Sequence, residues 1–192
     1  MRALLIVTLL VCTTGCGINA IPTFDEQVKA GWGQVENQYQ RRADLIPNLV
    51  ETVKGFAAQE REVLVAVTEA RAKVNQMKVD SDLVNNPEQL EAFEAAQSQL
   101  SGALSRLMVV VERYPDLKSN ENFLTLQAQL EGTENRISVA RRDYIAAVQA
   151  YNSEIRTFPG RIWHSLLYSD LELRETFEAT TENAEQAPSV QF

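Results

Sequence analysis

Cys16 is the residue whose type and position most clearly predict chemistry. Arg2 is followed by an apolar run over residues 3–12, and the small residue Gly15 directly precedes Cys16. An apolar core of roughly ten residues after a basic start is typical of a secretory signal peptide. A small residue just before a cysteine is typical of lipoprotein signals. We therefore predict that residues 1–15 are a lipoprotein signal peptide and that the Cys16 thiol becomes linked to a diacylglycerol.

An uncleaved membrane anchor is the alternative. Lipoprotein signals usually carry Leu three positions before the cysteine, where this chain has Thr13. No charged residue occurs within residues 3–21, and a bilayer-spanning helix needs about 20 predominantly apolar residues. That helix would leave Arg2 on the cytoplasmic side. Both interpretations place the rest of the protein outside the cytoplasm, in the periplasm or at the cell surface of a bacterial envelope.

A second group of polar residues lies on the first predicted helix, at Arg41, Arg42, Asp44 and Asn48. Arg42 falls on the apolar face of that helix. A guanidinium group there can bind an anionic ligand or a carboxylate of a partner protein. The structural alternative is a buried ion pair of Arg42 with Asp44 or with a glutamate of another helix, because buried charges are almost always paired.

The sequence offers no set of residues for catalysis or for metal binding. The chain has one histidine, His164, whereas a di-iron bundle needs a Glu-x-x-His motif on each of two helices. There is no Gly-x-Ser-x-Gly nucleophile motif and no glycine-rich phosphate loop. We expect no catalytic residue, no metal and no cofactor, and we expect His164, beside Trp163, to be a surface or interface residue.

The charge of the chain limits its partners. The net charge is −8, which argues against nucleic acid and against electrostatic docking on anionic lipid. We therefore expect the membrane contact to be the N-terminal anchor, through residues 16–22 as a lipidated linker. Acidic residues dominate the C-terminal end, and we predict that residues 169–192 are a frayed helix followed by a disordered acidic tail.

Apolar residues recur at alternating steps of three and four along three long segments, which is typical of helices packed in a bundle. The pattern predicts an all-α antiparallel up-and-down bundle over residues 23–168, with three long helices and a short C-terminal helix. Pro47 interrupts this pattern, and a proline in a helix interior costs roughly 3 kcal/mol. Because no Gly or Asn lies near residues 42–44 to reverse the chain, we expect one continuous first helix over residues 23–79, kinked near Pro47.

The predicted lengths suggest an exposed apolar surface. At 1.5 Å per residue the three helices measure about 85, 40 and 58 Å. The part of the first helix before Pro47, which carries Trp32, Val35 and Tyr39, is expected to project beyond the other two. An exposed apolar face of that length suggests self-association or a partner helix. Alternatively, residues 162–171 fold back and cover part of it.

Several segments resemble the LemA family of bacterial envelope proteins. The longest runs from Trp32 to Phe56 and contains Arg-Arg-Ala-Asp-Leu-Ile-Pro-Asn-Leu-Val. The others are residues 69–71, 112–118, 123–127, 130–137, 140–144 and 155–160. The resemblance covers about residues 16–160 and fades after Gly160.

The resemblance implies an N-terminally anchored antiparallel helical bundle and no defined activity. A relative in magnetosome-forming bacteria is tied to membrane remodelling, which is an analogy only. From the sequence we expect a non-enzymatic, membrane-anchored scaffold or adaptor that acts through helix–helix contacts with protein partners or with itself. The alternative is an envelope sensory or ligand-binding module that uses Arg41, Arg42 and Asp44.

Overall fold

A computed structural model describes residues 17–77 and 83–177 of the chain. Within these ranges there are six α-helices and no β-strand, so the all-α prediction is confirmed. The helices are α1 (Ala20–Phe56), α2 (Arg61–Gln76), α3 (Pro87–Val111), α4 (Pro115–Lys118), α5 (Glu121–Arg156) and α6 (Gly160–Leu167), with a 3₁₀ turn at Leu83–Asn85 before α3.

The predicted signal peptide and the end of the predicted acidic tail lie outside the described residues. The same holds for Cys16 and for most of the alternative anchor over residues 3–21. None of the helices in the described ranges is both long enough and apolar enough to cross a membrane.

The first predicted helix is two helices, so the expectation of continuity over residues 23–79 is wrong. Helix α1 ends at Phe56, and the Ala57 N–H bonds to the Val53 carbonyl oxygen at 2.8 Å. Glu60 then has a non-helical backbone, and its carboxylate accepts a 2.6 Å hydrogen bond from the Tyr114 hydroxyl. The interruption is about one turn long, so the apolar face of α1 and that of α2 stay in phase. A periodic pattern therefore cannot reveal the break.

Helix α1 does continue through Pro47, as the sequence predicted. Proline has no N–H, so the carbonyl of Ala43, four residues earlier, loses its helical donor. The Nε–H of Arg71 donates to that Ala43 oxygen at 2.8 Å. A side chain of α2 thus replaces the backbone hydrogen bond that Pro47 removes.

The chain divides into two compact units. Among the described residues, unit 1 comprises residues 17–42 and 131–175, and unit 2 comprises residues 43–77, 83–130 and 176–177. In unit 1 the Trp32 and Tyr144 rings meet edge to face with centroids 5.5 Å apart, and Arg42 Nη1 lies 2.7 Å from Glu134 Oε1. Moving forward along α1 from Trp32 to Arg42 therefore corresponds to moving back along α5. The two segments run antiparallel.

In unit 2, α2 packs along α3. The pair is antiparallel, because Glu60 meets Tyr114 at one end and Lys73 Nζ donates to Gln99 Oε1 at 2.9 Å near the other. The Asn86 side chain accepts from the Gln89 N–H at 3.2 Å, with Pro87 in the first turn, so α3 begins with the cap and the proline that favour a helix start. The core between the helices is apolar and includes Leu49, Val53, Val67, Leu100, Leu107 and Leu117.

The replacement of the missing Pro47 donor by Arg71 can be tested with a double-mutant cycle. We expect Arg71→Met to lower the free energy of unfolding by about 1–3 kcal/mol, because the Ala43 carbonyl loses its donor. In a Pro47→Ala background the new N–H restores the helical bond, so Arg71→Met costs clearly less. Urea unfolding of the four proteins measures the coupling.

The matched control is Lys73→Met, two positions along the same helix, where the side chain is exposed and bonds to Gln99. We expect its effect to stay within about 0.5 kcal/mol in both backgrounds. Equal costs of Arg71→Met with Pro47 and with Ala at position 47 would show that the contact does not compensate for the proline.

Candidate functional site

The apolar residues predicted to form an open interaction surface are buried within unit 1. The exposed fractions of Trp32, Val35 and Tyr39 are 2%, 0% and 7%. Tyr144 of α5 packs directly on Trp32. The expectation of an exposed face before Pro47 is therefore wrong, because this part of α1 lies antiparallel to the α5 segment that contains Glu134 and Tyr144.

Burial separates Arg42 from the other polar residues of the predicted site, which are exposed. Arg42 is 2% exposed, donates to Glu134 at 2.7 Å, and holds its guanidinium carbon 5.2 Å from the centre of the Tyr39 ring. Of the two structural alternatives, the ion pair with a glutamate of another helix is the one observed. Arg41 is exposed in unit 1, and Asp44 and Asn48 are exposed in unit 2.

A shallow cleft of about 360 Å³ opens in unit 1 between α1 and α5. Gln34 and Gln38 line it from α1, and Arg136 and Val139 line it from α5. Arg42 is not among its lining residues. The buried guanidinium therefore does not face this opening and is held by Glu134 instead.

A group of polar contacts that the sequence did not predict involves the residues that follow α6. Residues 171–175, which we call the C-terminal strap, are not helical. The strap is fixed through its backbone. The Tyr151 hydroxyl donates to the Glu172 carbonyl oxygen and the Tyr144 hydroxyl to that of Glu175, both at 2.9 Å.

The Asn152 side chain binds the strap in both directions. Its amide nitrogen donates to the Arg174 carbonyl oxygen at 2.9 Å, and its amide oxygen accepts from the Arg174 N–H at 3.0 Å. The expectation of a frayed helix from residue 169 is thus wrong for residues 171–175, because α5 side chains hold this backbone in a non-helical conformation. Residues 178–192 lie outside the described part of the chain.

The strap ends in an ion pair with the first turns of α1. Arg174 Nη2 lies 2.7 Å from Asp25 Oδ1, and Lys29 Nζ lies 2.8 Å from the other carboxylate oxygen. Burial raises the pKa of Asp25, but the hydrogen bonds and positive charges of Lys29 and Arg174 outweigh it and hold that pKa below its usual value. Burial also raises the pKa of Tyr144 and of Tyr151, so both hydroxyls remain protonated donors.

His164 belongs to the same assembly. Its Nε2 lies 2.7 Å from the Leu171 carbonyl oxygen, and since a carbonyl only accepts, the ring nitrogen donates. The half-buried imidazole therefore secures the start of the strap. Across residues 17–77 and 83–177, no group of three or more His, Cys, Asp and Glu side chains is placed to hold a metal ion.

These features define an all-helical protein in which the buried charged residues described above are paired within a unit and hold its segments in register. The LemA family model matches residues 31–192, and the chain belongs to the LemA family. The match runs through the C-terminal end, so the expectation that the likeness fades after Gly160 is wrong. Residues 16–30, which we had included, lie outside the match.

Curated relatives agree with this assignment. Magnetosome protein MamQ 1 of Paramagnetospirillum magneticum is 29% identical over 166 residues, which cover 78% of this chain and 60% of the relative. Magnetosome protein MamQ of Magnetospirillum gryphiswaldense is 27% identical, covering 73% of this chain and 58% of its own length. Protein LemA of Metamycoplasma hominis is 28% identical, covering 70% and 55%. The chain therefore spans less than two thirds of the length of these relatives.

The pair between Asp25 and Arg174 predicts a pH-dependent contribution to stability. Because the pKa of Asp25 is lower in the folded chain than the value of about 3.9 in an unfolded one, its stabilisation is complete above that value and is lost as the pH falls through the folded pKa. We expect Asp25→Asn to lower the free energy of unfolding by about 2 kcal/mol at pH 7, and by much less at pH 3.

Glu26→Gln is the matched control, because Glu26 also bonds to Lys29 but its side chain is 73% exposed. We expect a change within about 0.5 kcal/mol at either pH. Denaturant unfolding at both pH values provides the comparison. A cost of Asp25→Asn that does not change between pH 7 and pH 3 would contradict the ionic contribution.

Proposed function

We propose that this chain is a non-enzymatic helical scaffold of a bacterial envelope, anchored to a membrane through its N-terminal segment and positioned outside the cytoplasm. One observation carries the proposal. In the described part of the chain, Gly17 starts a turn in which the Ala20 N–H bonds to the Gly17 carbonyl oxygen at 3.0 Å. Helix α1 follows directly from Ala20. Only residues 17–19 therefore separate the predicted lipidation residue Cys16 from the first helix.

The scaffold role is supported by what the buried polar groups do. Arg42 is paired with Glu134, and Asp25 with Arg174, so both pairs connect segments of unit 1. Desolvating a charge is costly, and such pairs are best attested as devices that fix register. The alternative of a ligand-binding module at Arg41, Arg42 and Asp44 gains no support from this arrangement.

The partners follow from the same argument and from the relatives. We propose that the chain acts through contacts with other proteins or with further copies of itself, and that it does not bind nucleic acid because its net charge is −8. The MamQ relatives are magnetosome proteins by name. By analogy with them, a role in organising a membrane is part of the proposal.

The anchor is tested by the intact mass of the native protein purified from bacterial membranes. We expect the loss of residues 1–15 and a mass gain that corresponds to a diacylated Cys16, and we expect globomycin to block the cleavage. Cys16→Ser should abolish both changes. Cys12→Ser is the matched control, because Cys12 lies within the predicted signal peptide and should leave processing intact.

The other outcomes of this experiment are also decisive. A full-length, unmodified chain that stays in the membrane after carbonate washing would favour the uncleaved anchor over residues 3–21. A full-length chain found in the aqueous fraction would contradict membrane anchoring in either form.

The scaffold role is tested separately, by crosslinking the full chain in intact membranes with an amine-reactive reagent. We expect discrete species of higher mass that contain either a second copy or a defined protein, since a scaffold acts through lasting contacts. Light scattering on the detergent-purified chain gives the number of copies. A chain that remains monomeric and uncrosslinked at all concentrations would contradict the scaffold role while leaving the anchor unaffected.

A further inference from the structure

Helix α6 and the turn before it expose an unusual set of large apolar side chains. The exposed fractions are 82% for Phe158, 45% for Ile162, 68% for Leu166 and 54% for Leu167. We call these four residues the α6 patch. Ile162 and Leu166 lie four residues apart in α6, the spacing that places side chains on one helix face, and Phe158 lies in the turn that precedes the helix.

The opposite face of α6 is the one that packs on unit 1. Trp163 is half-buried, and His164 donates to the Leu171 carbonyl oxygen. In a helix on the surface of a globular protein the inward face is apolar and the outward face is polar. Here the outward face is itself apolar, and exposed apolar clusters mark sites that contact another protein or a membrane.

The position of the α6 patch is fixed by close packing at Gly160. This glycine is buried, and a Cβ atom there would overlap the Glu154 carbonyl oxygen at the end of α5. The Arg161 N–H also bonds to the Thr157 carbonyl oxygen at 2.7 Å, across the turn between α5 and α6. The patch is therefore presented by a turn that is held against α5.

The chain enters the folded body next to this patch. Gly17 has a φ of 112°, and a Cβ built on it would lie 3.6 Å from Pro159 Cγ and 3.9 Å from Trp163 Nε1. The residue that follows Cys16 thus lies against the turn that carries Phe158. If the N-terminal segment is in a membrane, the α6 patch lies close to that membrane.

We propose that the α6 patch inserts into the interfacial region of the bilayer that holds the N-terminal segment. It forms a second, non-covalent membrane contact that fixes the orientation of unit 1. This inference rests on the proposed membrane anchoring. Apolar side chains on one face of a helix, with a tryptophan and a phenylalanine nearby, are typical of elements that lie in the membrane interface. The exposed Arg156 and Arg161 flank the patch, and their charged ends can remain among lipid headgroups.

The bilayer is favoured over a protein partner because of continuity with the N-terminal segment. The overall charge of −8 does not attract the chain to anionic lipid, so the contact relies on apolar burial. This adds to the expectation from sequence, in which the anchor was the only membrane contact.

The test is site-specific photocrosslinking of the full chain in bacterial membranes. We place p-benzoylphenylalanine at position 158 and, in a separate protein, at Val139, then irradiate the membranes and analyse the peptides by mass spectrometry. Val139 is 47% exposed, belongs to unit 1 and lies on α5 about 25 Å before Arg156 at about 1.5 Å per residue. We expect phospholipid adducts at position 158 at least fivefold more often than at position 139.

A second variant replaces two of the four patch residues without disturbing the packed face. Ile162 and Leu166 are exposed, so Ile162→Glu combined with Leu166→Glu should leave thermal unfolding nearly unchanged. We expect this double substitution to reduce the lipid adducts at position 158 several-fold while the chain stays in the membrane pellet.

Each alternative occupant gives a distinct product. Adducts of position 158 with a second copy, with another protein or with residues 1–16 of the same chain would overturn the inference, and so would equal lipid labelling at positions 158 and 139. An anchored chain without lipid adducts overturns the inference and leaves the proposed anchor standing. A chain missing from the membrane pellet overturns both.

Discussion

The hydrogen bond from Arg71 to the Ala43 carbonyl is the contact on which the continuity of α1 depends. Pro47 deprives that carbonyl of its donor, and a buried acceptor without a partner costs about 1–3 kcal/mol. Arg71 supplies the donor from α2, so α1 extends from Ala20 to Phe56 and contributes residues to both units. The Pro47 segment and the Glu69-Ala-Arg71 segment both belong to the resemblance to the LemA family. Their meeting gives these two motifs a shared physical purpose that does not require a ligand.

The buried charges of unit 1 also have partners on other segments. Arg42 is held by Glu134 and Asp25 by Arg174, so each desolvated charge has an opposite charge at 2.7 Å. The first pair connects α1 to α5, and the second connects α1 to the C-terminal strap. Because a shift of either segment by one residue would leave a buried charge without this partner, the pairs fix the register in which the helices and the strap meet.

The features that the sequence predicted are those that depend on local residue types or on the spacing of apolar residues. The all-α class and the passage of α1 through Pro47 follow from the spacing of apolar residues and from the absence of a turn residue near residues 42–44. The break between Phe56 and Arg61 was missed because it preserves the phase of the apolar face.

The strap was missed because α5 side chains bind its backbone carbonyls. Every residue provides such a carbonyl, so no sequence pattern marks the acceptor segment. A partial signal existed in Tyr144, Tyr151 and Asn152, which carry polar groups at one side of a buried helix face. The sequence did not identify the partner of Arg42, because several glutamates could have paired with this buried charge.

A single tether would not by itself define how the protein is oriented relative to a membrane. A lipid on Cys16, as proposed, would limit the distance of the body from the membrane, because only residues 17–19 separate Cys16 from α1. One attachment point would still allow rotation about itself. The strap ties the first turns of α1 to α5 through the pair of Asp25 with Arg174 and the bond of Asn152 to the Arg174 backbone. Gly160 packs α6 against that same end of α5, close to Gly17. The proposed tether and the α6 patch therefore adjoin the same part of unit 1. A bilayer contact at the patch, as proposed, would convert a flexible attachment into a defined orientation, which is the property a scaffold needs in order to present its outer surface consistently to a partner.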